Sequence, residues 1–172
     1  MLQVLQRERL RATDVKAVVA QVHQAAIDVL GPVIRLTAHR SKFSMGTVLG
    51  LIAVFGRAGL NEFDASYRDP AVRAVHDKVT MQLDTEVNTA YPARWIGKVI
   101  VETNDGRRFD GKVLEPKGDP GNTLSRAEIE DKAVRLAAYR EGATPQEMEG
   151  VIARVWALSH AAVVTRFLDR RG

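Results

Sequence analysis

Residues 97–115 read GKVIVETNDGRRFDGKVLE and carry the clearest structural signal in the chain. Apolar and polar residues alternate on both sides of Asn104-Asp105-Gly106, as they do in strands with one buried face. An Asp-Gly pair between two such runs supplies the positive φ angles that a tight turn requires. The stretch therefore predicts a β-hairpin.

Two further segments upstream of the hairpin have strand-like patterns. Val79, Met81 and Leu83 alternate with polar residues and predict a half-buried strand. Residues 13–22 are ambiguous, because their valines and alanines fit both the two-residue period of a strand and the spacing of a helix face. From the residues alone, both assignments of this segment stay open.

The most apolar stretch of the chain, residues 43–55, predicts an interior helix that is apolar on all sides. It is shorter than the roughly 20 residues that a membrane span needs. Gly46 and Gly50, four residues apart, leave a flat strip where another helix can approach closely, and Gly56 and Gly59 end the helix.

Three other helices have recognisable starts. Asp69-Pro70 opens a short helix through roughly Asp77, since proline suits the first helical position. Ser125 and Thr144 are each followed three residues later by Glu, which is a capping box. The last helix is predicted to have one largely apolar side, which needs a partner surface. That side consists of Met148, Val151, Ile152, Val155, Ser159, Ala162 and Val163. The order of helix, sheet and helix predicts an α+β fold with a small antiparallel sheet.

Length and composition limit the class of protein. A chain of 172 residues predicts one domain, or one domain with a small appendage. The absence of cysteine excludes disulfides, thiolate catalysis and Cys-based zinc or iron–sulfur sites. The net charge of +4 is spread along the chain, which argues against nucleic acid as a partner. Because the amino terminus is charged where a secretion signal is apolar, we expect a cytoplasmic protein without a membrane partner.

Few residues point to chemistry by themselves. The four histidines lie far apart, without metal-ligand spacing, and no glycine-rich phosphate motif is present. Ser44 and Thr47 lie near Lys42 and His39, in the one polar cluster that leads into an apolar element. The favoured interpretation is helix capping by Ser41 or Ser44 beside a solvated Lys42, and the alternative is a binding site. Neither interpretation supplies a complete active site.

Four motifs occur in an order that identifies a family resemblance. They are Lys42-Phe43-Ser44, Asp69-Pro70-x-Val72-Arg73, Asp105-Gly106-Arg107 and Pro116-Lys117-Gly118-Asp119-Pro120. The chain resembles the carboxy-terminal part of the MmgE/PrpD family, from about Thr13 to the last helix. That family includes 2-methylcitrate dehydratases, cis-aconitate decarboxylases and iminodisuccinate epimerases.

The resemblance implies a domain layout. Members of the family are longer and combine a large helical domain with a small α+β lid. By this likeness, residues 1–12 are a helical remnant of a truncated domain and residues 13–142 form the lid-like domain, with a sheet of about four strands. Residues 13–22 then become a lid strand, and residues 143–172 are the carboxy-terminal helix of the helical domain.

The resemblance also implies a chemistry, which is proton abstraction next to a carboxylate with loss or addition of a small group. It implies no redox cofactor and no metal. The family's KPYP…H motif, which carries a catalytic Lys and His, has no counterpart in this chain, so no catalytic residue is carried over. Thr47 stands where the family commonly has a Tyr that faces the substrate, and Phe55-Gly56 stands where it usually has Asp-Gly.

Lys42, Ser44 and Thr47 are therefore the candidate substrate-binding residues. We expect the lid-containing carboxy-terminal portion of a dehydratase, lyase or isomerase for small polycarboxylates such as 2-methylcitrate, not catalytic alone. Its expected partners are a missing amino-terminal half or a second copy in a homodimer, and a polycarboxylate only when that half is supplied. The alternative is a stand-alone homo-oligomeric interaction module or a non-catalytic relic.

Overall fold

A computed structural model describes residues 1–30 and 37–163. Their contacts divide the chain into two compact units, one ending at Thr123 and the other beginning at Leu124. The predicted division into residues 1–12, 13–142 and 143–172 stays a prediction. Residues 164–172 of its last segment lie outside the described part of the chain. Among the described residues, no helix has both the length and the apolar character to cross a bilayer.

The first unit is built on a four-stranded sheet. Its strands are β1 (Val15–Val22), β2 (Val79–Leu83), β3 (Gly97–Thr103) and β4 (Arg108–Val113), in the order β2-β1-β3-β4. The α+β class is confirmed, and the strand predicted for residues 13–22 is confirmed over Val15–Val22, with a 3₁₀ turn at Ala12–Asp14 before it. The expected antiparallel sheet is corrected to a mixed one, since β2 runs parallel to β1 while β3 and β4 are antiparallel to their neighbours. The helix-bearing connection between β1 and β2 provides the crossover that a parallel pair needs.

The predicted hairpin is confirmed as β3 and β4. A short loop of Asn104, Asp105 and Gly106 joins them, and the Thr103 N–H donates to the Arg107 carbonyl at 2.9 Å across its base. Only Gly106 has a positive φ, +85°, so the Asp-Gly pair supplies one such angle. The Asp105 carboxylate accepts from the Thr103 hydroxyl and from the Arg107 guanidinium. These bonds lower the pKa of Asp105.

Seven α-helices surround this sheet within the described residues of the first unit. They are α1 (Leu2–Arg7), α2 (Gln24–Val29), α3 (Ala38–Ser41), α4 (Met45–Phe55), α5 (Leu60–Ser66), α6 (Pro70–His76) and α7 (Thr85–Ala90). The predicted interior helix is α4, and Gly56 ends it in the left-handed conformation with φ +72°. Asp69 caps α6 as expected, by accepting from the Ala71 N–H at 2.7 Å.

The main core lies between the sheet, α1 and α4. Val4 and Leu5 of α1 are buried together with Val15, Val18 and other valines of β1 and β3. The first helix is therefore part of the core of this unit, with Val4 fully buried.

Two glycines of α4 allow α6 to lie close against it. A Cβ atom at Gly46 would meet the His76 ring at 2.6 Å, and one at Gly50 would meet the Val72 carbonyl oxygen at 2.7 Å. The close helix approach predicted from the spacing of these glycines is confirmed.

The second unit contains two α-helices among its described residues, α8 (Arg126–Ala138) and α9 (Pro145–Ala157). Both predicted capping boxes are confirmed, with Glu128 and Glu147 reaching back to the backbone of their caps. The helix α9 is shorter than expected, because a single 3₁₀ turn begins at Leu158. Ala162 and Val163 lie beyond that turn. No residue between positions 124 and 163 is buried.

Replacing Gly50 with Ala should destabilise the first unit by about 1 kcal/mol. Overpacking costs about 1–3 kcal/mol, and only about 1 kcal/mol of helix propensity is regained. Gly150→Ala is the matched control, because a Cβ at that helical glycine meets nothing within 4 Å. Urea unfolding followed by circular dichroism checks both variants. A Gly50→Ala protein that gains as much stability as the Gly150→Ala control would refute the tight contact between α4 and α6.

Candidate functional site

The candidate residues Ser44 and Thr47 lie at the start of α4, and both are buried. The Ser44 Oγ accepts the Thr47 N–H at 3.2 Å and the Thr47 hydroxyl at 3.1 Å. Ser44 is 5% exposed and Thr47 is 1% exposed. The two side chains thus satisfy each other inside the protein, and the predicted capping of α4 by Ser44 is confirmed.

The third candidate, Lys42, differs from the two hydroxyl residues because it is exposed. It follows the last residue of α3, in the short turn between α3 and α4. Phe43 beside it is half-exposed and lies near the His39 ring, with 5.5 Å between the ring centroids. Ser41 turns inward and donates to the Ala38 carbonyl at 2.7 Å. The turn therefore presents an exposed cation next to an aromatic side chain, above a buried polar pair.

A group of four charged side chains, which the sequence analysis missed, attaches α7 to the sheet. The Lys98 Nζ lies 2.9 Å from Asp84 Oδ1 and 2.7 Å from Glu86 Oε2, and the Lys112 Nζ lies 2.6 Å from Glu86 Oε1. Asp84 also caps α7 by accepting the Val87 N–H at 2.9 Å. The signal for that cap was the Asp that precedes the helical sequence TEVNTA.

These contacts shift the pKa values of Asp84, Glu86 and Lys98 toward their charged forms. The backbone hydrogen bond from Val87, and then the bond from Lys98, lower the pKa of Asp84. Hydrogen bonds from Lys112 and Lys98 lower the pKa of Glu86. In turn, Glu86 and Asp84 raise the pKa of Lys98. Asp84, Glu86 and Lys98 are thereby held in their charged forms, as members of an ion-pair network.

Other carboxylates with shifted pKa values are engaged in a similar way. Burial alone would raise the pKa of Glu62, but hydrogen bonds from the Gly59 N–H and the Arg57 guanidinium outweigh it and lower the pKa. The His76 ring, followed by Arg73, lowers the pKa of Asp77. A lowered pKa is shared by Asp14, Glu62, Asp77, Asp84, Glu86 and Asp105. None of these carboxylates is tuned toward neutral pH.

The histidines serve local contacts. The His23 Nδ1 accepts the Ala26 N–H at 3.1 Å and so caps α2, while the His76 Nδ1 lies 3.0 Å from Asp77 Oδ1. His39 and His160 are exposed. Within residues 1–30 and 37–163, no group of three or more His, Asp or Glu side chains is placed to hold a metal ion.

The four motifs of the resemblance all lie at helix starts or turns. Ser44 and Asp69 begin α4 and α6, and Gly106 lies in the hairpin loop. In the fourth motif, Gly118 has a φ of +106° and its N–H donates to the Asn122 carbonyl at 2.8 Å. The motifs therefore shape the backbone of the first unit.

The fold and these junctions define an α+β domain whose sequence motifs build helix starts and turns around a mixed four-stranded sheet. The MmgE/PrpD C-terminal domain matches residues 1–158. The chain therefore belongs to the MmgE/PrpD family through that domain. A comparison with curated proteins gave no significant match.

Replacing Ser44 with Ala should lower the free energy of unfolding by about 1–2 kcal/mol. The change removes the cap of α4 and leaves the buried Thr47 hydroxyl without its acceptor. Lys42→Ala is the control, because it changes an exposed side chain two residues away and should shift stability by less than about 0.5 kcal/mol. Denaturant unfolding of the two variants checks this. If the Ser44→Ala and Lys42→Ala variants unfold with equal free energies, the hydroxyl pair does not hold the start of α4.

Proposed function

We propose that this chain supplies the lid-containing carboxy-terminal portion of an MmgE/PrpD-type dehydratase, lyase or isomerase. Its substrate class is the small polycarboxylates, such as 2-methylcitrate, and the chain does not turn them over by itself. The match of the family's C-terminal domain to residues 1–158 supports this assignment.

The proposal that the chain does not turn over its substrate by itself rests on the protonation state of its carboxylates. Abstraction of a proton next to a carboxylate needs a base within reach of the substrate, with a pKa suited to neutral pH. The shifted carboxylates of this chain have lowered pKa values and are held by helix caps and ion pairs, as Asp84 and Glu62 illustrate. We therefore assign the proton-transferring groups to polypeptide outside this chain.

The exposed turn at Lys42 is the part of this chain that we assign to substrate binding. An ammonium group on an exposed turn attracts a polyanionic substrate and can pair with one of its carboxylates. Among the described residues, the Lys42 Nζ has no hydrogen-bond or ion-pair partner that would compete with a substrate. Ser44 and Thr47 contribute indirectly, because their buried hydroxyl pair holds the start of the helix that follows Lys42.

The first test is an activity assay of the purified chain with 2-methylcitrate. Formation of the carbon–carbon double bond is followed by ultraviolet absorbance, with a full-length family dehydratase as the positive control. We expect no rate above that of buffer. Dehydration that scales with the concentration of this chain would contradict the assignment of the catalytic groups to other polypeptide.

The role of Lys42 is tested in a complex that restores activity with an amino-terminal half from the family. There, Lys42→Ala should raise KM about fivefold, or roughly 1 kcal/mol, and leave kcat little changed. Lys132→Ala removes an exposed lysine of α8 and is the matched control, with no expected change in KM. An unchanged KM in the Lys42 variant would remove this residue from the substrate site.

A second candidate, a homo-oligomeric interaction module, is favoured by the second unit. Its described residues expose large apolar side chains, namely Ile129 and Leu136 on α8, Val155 on α9 and Leu158 in the 3₁₀ turn that follows. Large apolar patches on a protein surface typically mark association sites. We propose that a second copy of the chain covers these side chains.

Light scattering across a range of protein concentrations tests this candidate. We expect a dimer in the parent chain and a shift to monomer in Val155→Glu, because burying a carboxylate against an apolar surface is costly. Arg154→Glu places the same charge at the neighbouring exposed position and should leave the dimer intact. A parent chain that is monomeric at every concentration would eliminate the module.

A further inference from the structure

Side chains around His23 tie the start of α2 to the end of α7. The Nδ1 atom of His23 accepts the Ala26 N–H at 3.1 Å and caps α2. The His23 ring stacks on Tyr91, the residue that ends α7, with 3.9 Å between the ring centroids and 14° between the ring planes. Beside the rings, the Gln24 N–H donates to the Asn88 Oδ1 at 2.9 Å. These three contacts form the α2–α7 junction.

The hydrogen bond at Ala26 requires a neutral His23 ring. An Nδ1 atom that accepts a hydrogen bond carries no proton, so the ring proton is on Nε2. In an imidazolium both ring nitrogens are donors, and the Nδ1–H would face the Ala26 N–H at 3.1 Å. The positive charge would also lie at the amino terminus of a helix, where a cation is unfavourable. Protonation of His23 therefore breaks the side-chain cap of α2.

Rotation of the His23 ring does not restore this bond. A half-turn about the Cβ–Cγ bond keeps the stack on Tyr91 but brings a carbon atom, which accepts no hydrogen bond, to the Ala26 N–H. A turn out of the ring plane loses the stack and the edge-on contact with Trp95, whose ring centroid lies 5.9 Å away. In either case the Ala26 N–H keeps only the His23 carbonyl, at 3.1 Å, as an acceptor.

The charged groups around His23 do not favour its protonated form. The ring borders a cavity whose charged lining residues are all cationic, namely Met1 with the terminal amino group, Arg7, Lys98 and Lys112. The acidic side chains at the start of α7, Asp84 and Glu86, bind those lysines on the opposite face of the sheet. On α2, the Asp28 carboxylate accepts the side-chain amide of Gln24 at 2.8 Å. Tyr91 is the titratable group that contacts the ring directly, and within the described part of the chain no carboxylate is bonded to it.

We infer that His23 makes the α2–α7 junction sensitive to pH. Histidine is the side chain whose charge ordinarily changes between about pH 5 and pH 8. The capped junction holds His23 neutral, whereas the unfolded chain takes up a proton there as the pH falls. The stability that the junction contributes is therefore present at higher pH and is lost as the pH falls through the histidine range. The inference goes beyond the proposed function, since neither the turn at Lys42 nor the second unit takes part in it.

The test compares the parent chain with His23→Asn at about pH 7.5 and about pH 5.5, a range in which histidine titrates. Asparagine is a strong helix cap that carries no titratable proton, so α2 stays capped at both pH values. His160→Asn is the matched control, because it removes an exposed histidine. The readout is the amide resonance of Ala26 in a nitrogen–proton NMR spectrum. We expect this resonance to move on acidification in the parent chain and in His160→Asn, and to stay in place in His23→Asn.

Thermal unfolding followed by the fluorescence of Trp95 gives a second measurement. The chain has two tryptophans, so a Trp156→Phe background in every variant leaves Trp95 as the reporter of the first unit. On acidification, the Tm of the parent chain should fall by about 2–4 °C relative to that of His23→Asn, which is the shift expected for one helix cap in a chain of this size. The comparison between variants cancels the titration of other groups, including the His76 and Asp77 pair.

Three outcomes overturn the inference. One is an Ala26 resonance that stays in place in the parent chain between the two pH values. Another is a resonance that moves as far in His23→Asn as in the parent chain, since another group would then be responsible. The third is a Tm difference between these two chains that is the same at both pH values. If His23→Asn fails to fold, His23→Ser takes its place with the same expected results, and because none of these measurements needs turnover, their failure is distinct from failure of the proposed enzyme function.

Discussion

The central strand β1 is the constraint on which the first unit depends. It pairs with β2 on one side and with β3 on the other, and its inward residues Val15, Val18, Ala20 and Val22 are buried. Burial of a valine contributes about 1.5 kcal/mol or more. Without this strand, the hairpin would lose its neighbour and β2 would have no partner. The helices α1 and α4 would then lose the apolar surface that they cover.

The sequence predicted those turns and helix starts whose conformation depends on neighbouring residues alone. The hairpin loop needs one residue with positive φ and has Gly106, and the helix starts have Ser44, Asp69, Ser125 and Thr144 as caps. The strand β1 was ambiguous, because its valines and alanines fit either period and its partners are remote in sequence, as Val18 and Val79 are. The parallel pairing of β1 with β2 follows from the same long-range contacts, which a local pattern does not contain. The packing of α1 is a long-range contact of the same kind, since Val4 lies against Gly111 of β4.

At the candidate site, too, short-range features could be predicted from the sequence and long-range contacts could not. That Ser44 caps a helix was readable from its place before an apolar run, whereas its shared hydrogen bond with a buried Thr47 required the structure. The ion pairs of Lys98 with Asp84 and Glu86 join residues that no motif links.

The four family motifs of this chain lie at helix starts and turns, where backbone geometry limits the residue types. A cap or a turn constrains a few residue types, because its geometry demands a side-chain acceptor or a positive φ, as at Asp69 and Gly118. Such positions identify the domain even when no reacting group lies near them. Thr47 illustrates this, because its hydroxyl bonds to the Ser44 Oγ and so belongs to the buried start of α4. The exposed Lys42 lies two residues before that cap, so its proposed role in binding an anion would depend on a buried hydroxyl pair at the start of the helix that follows it.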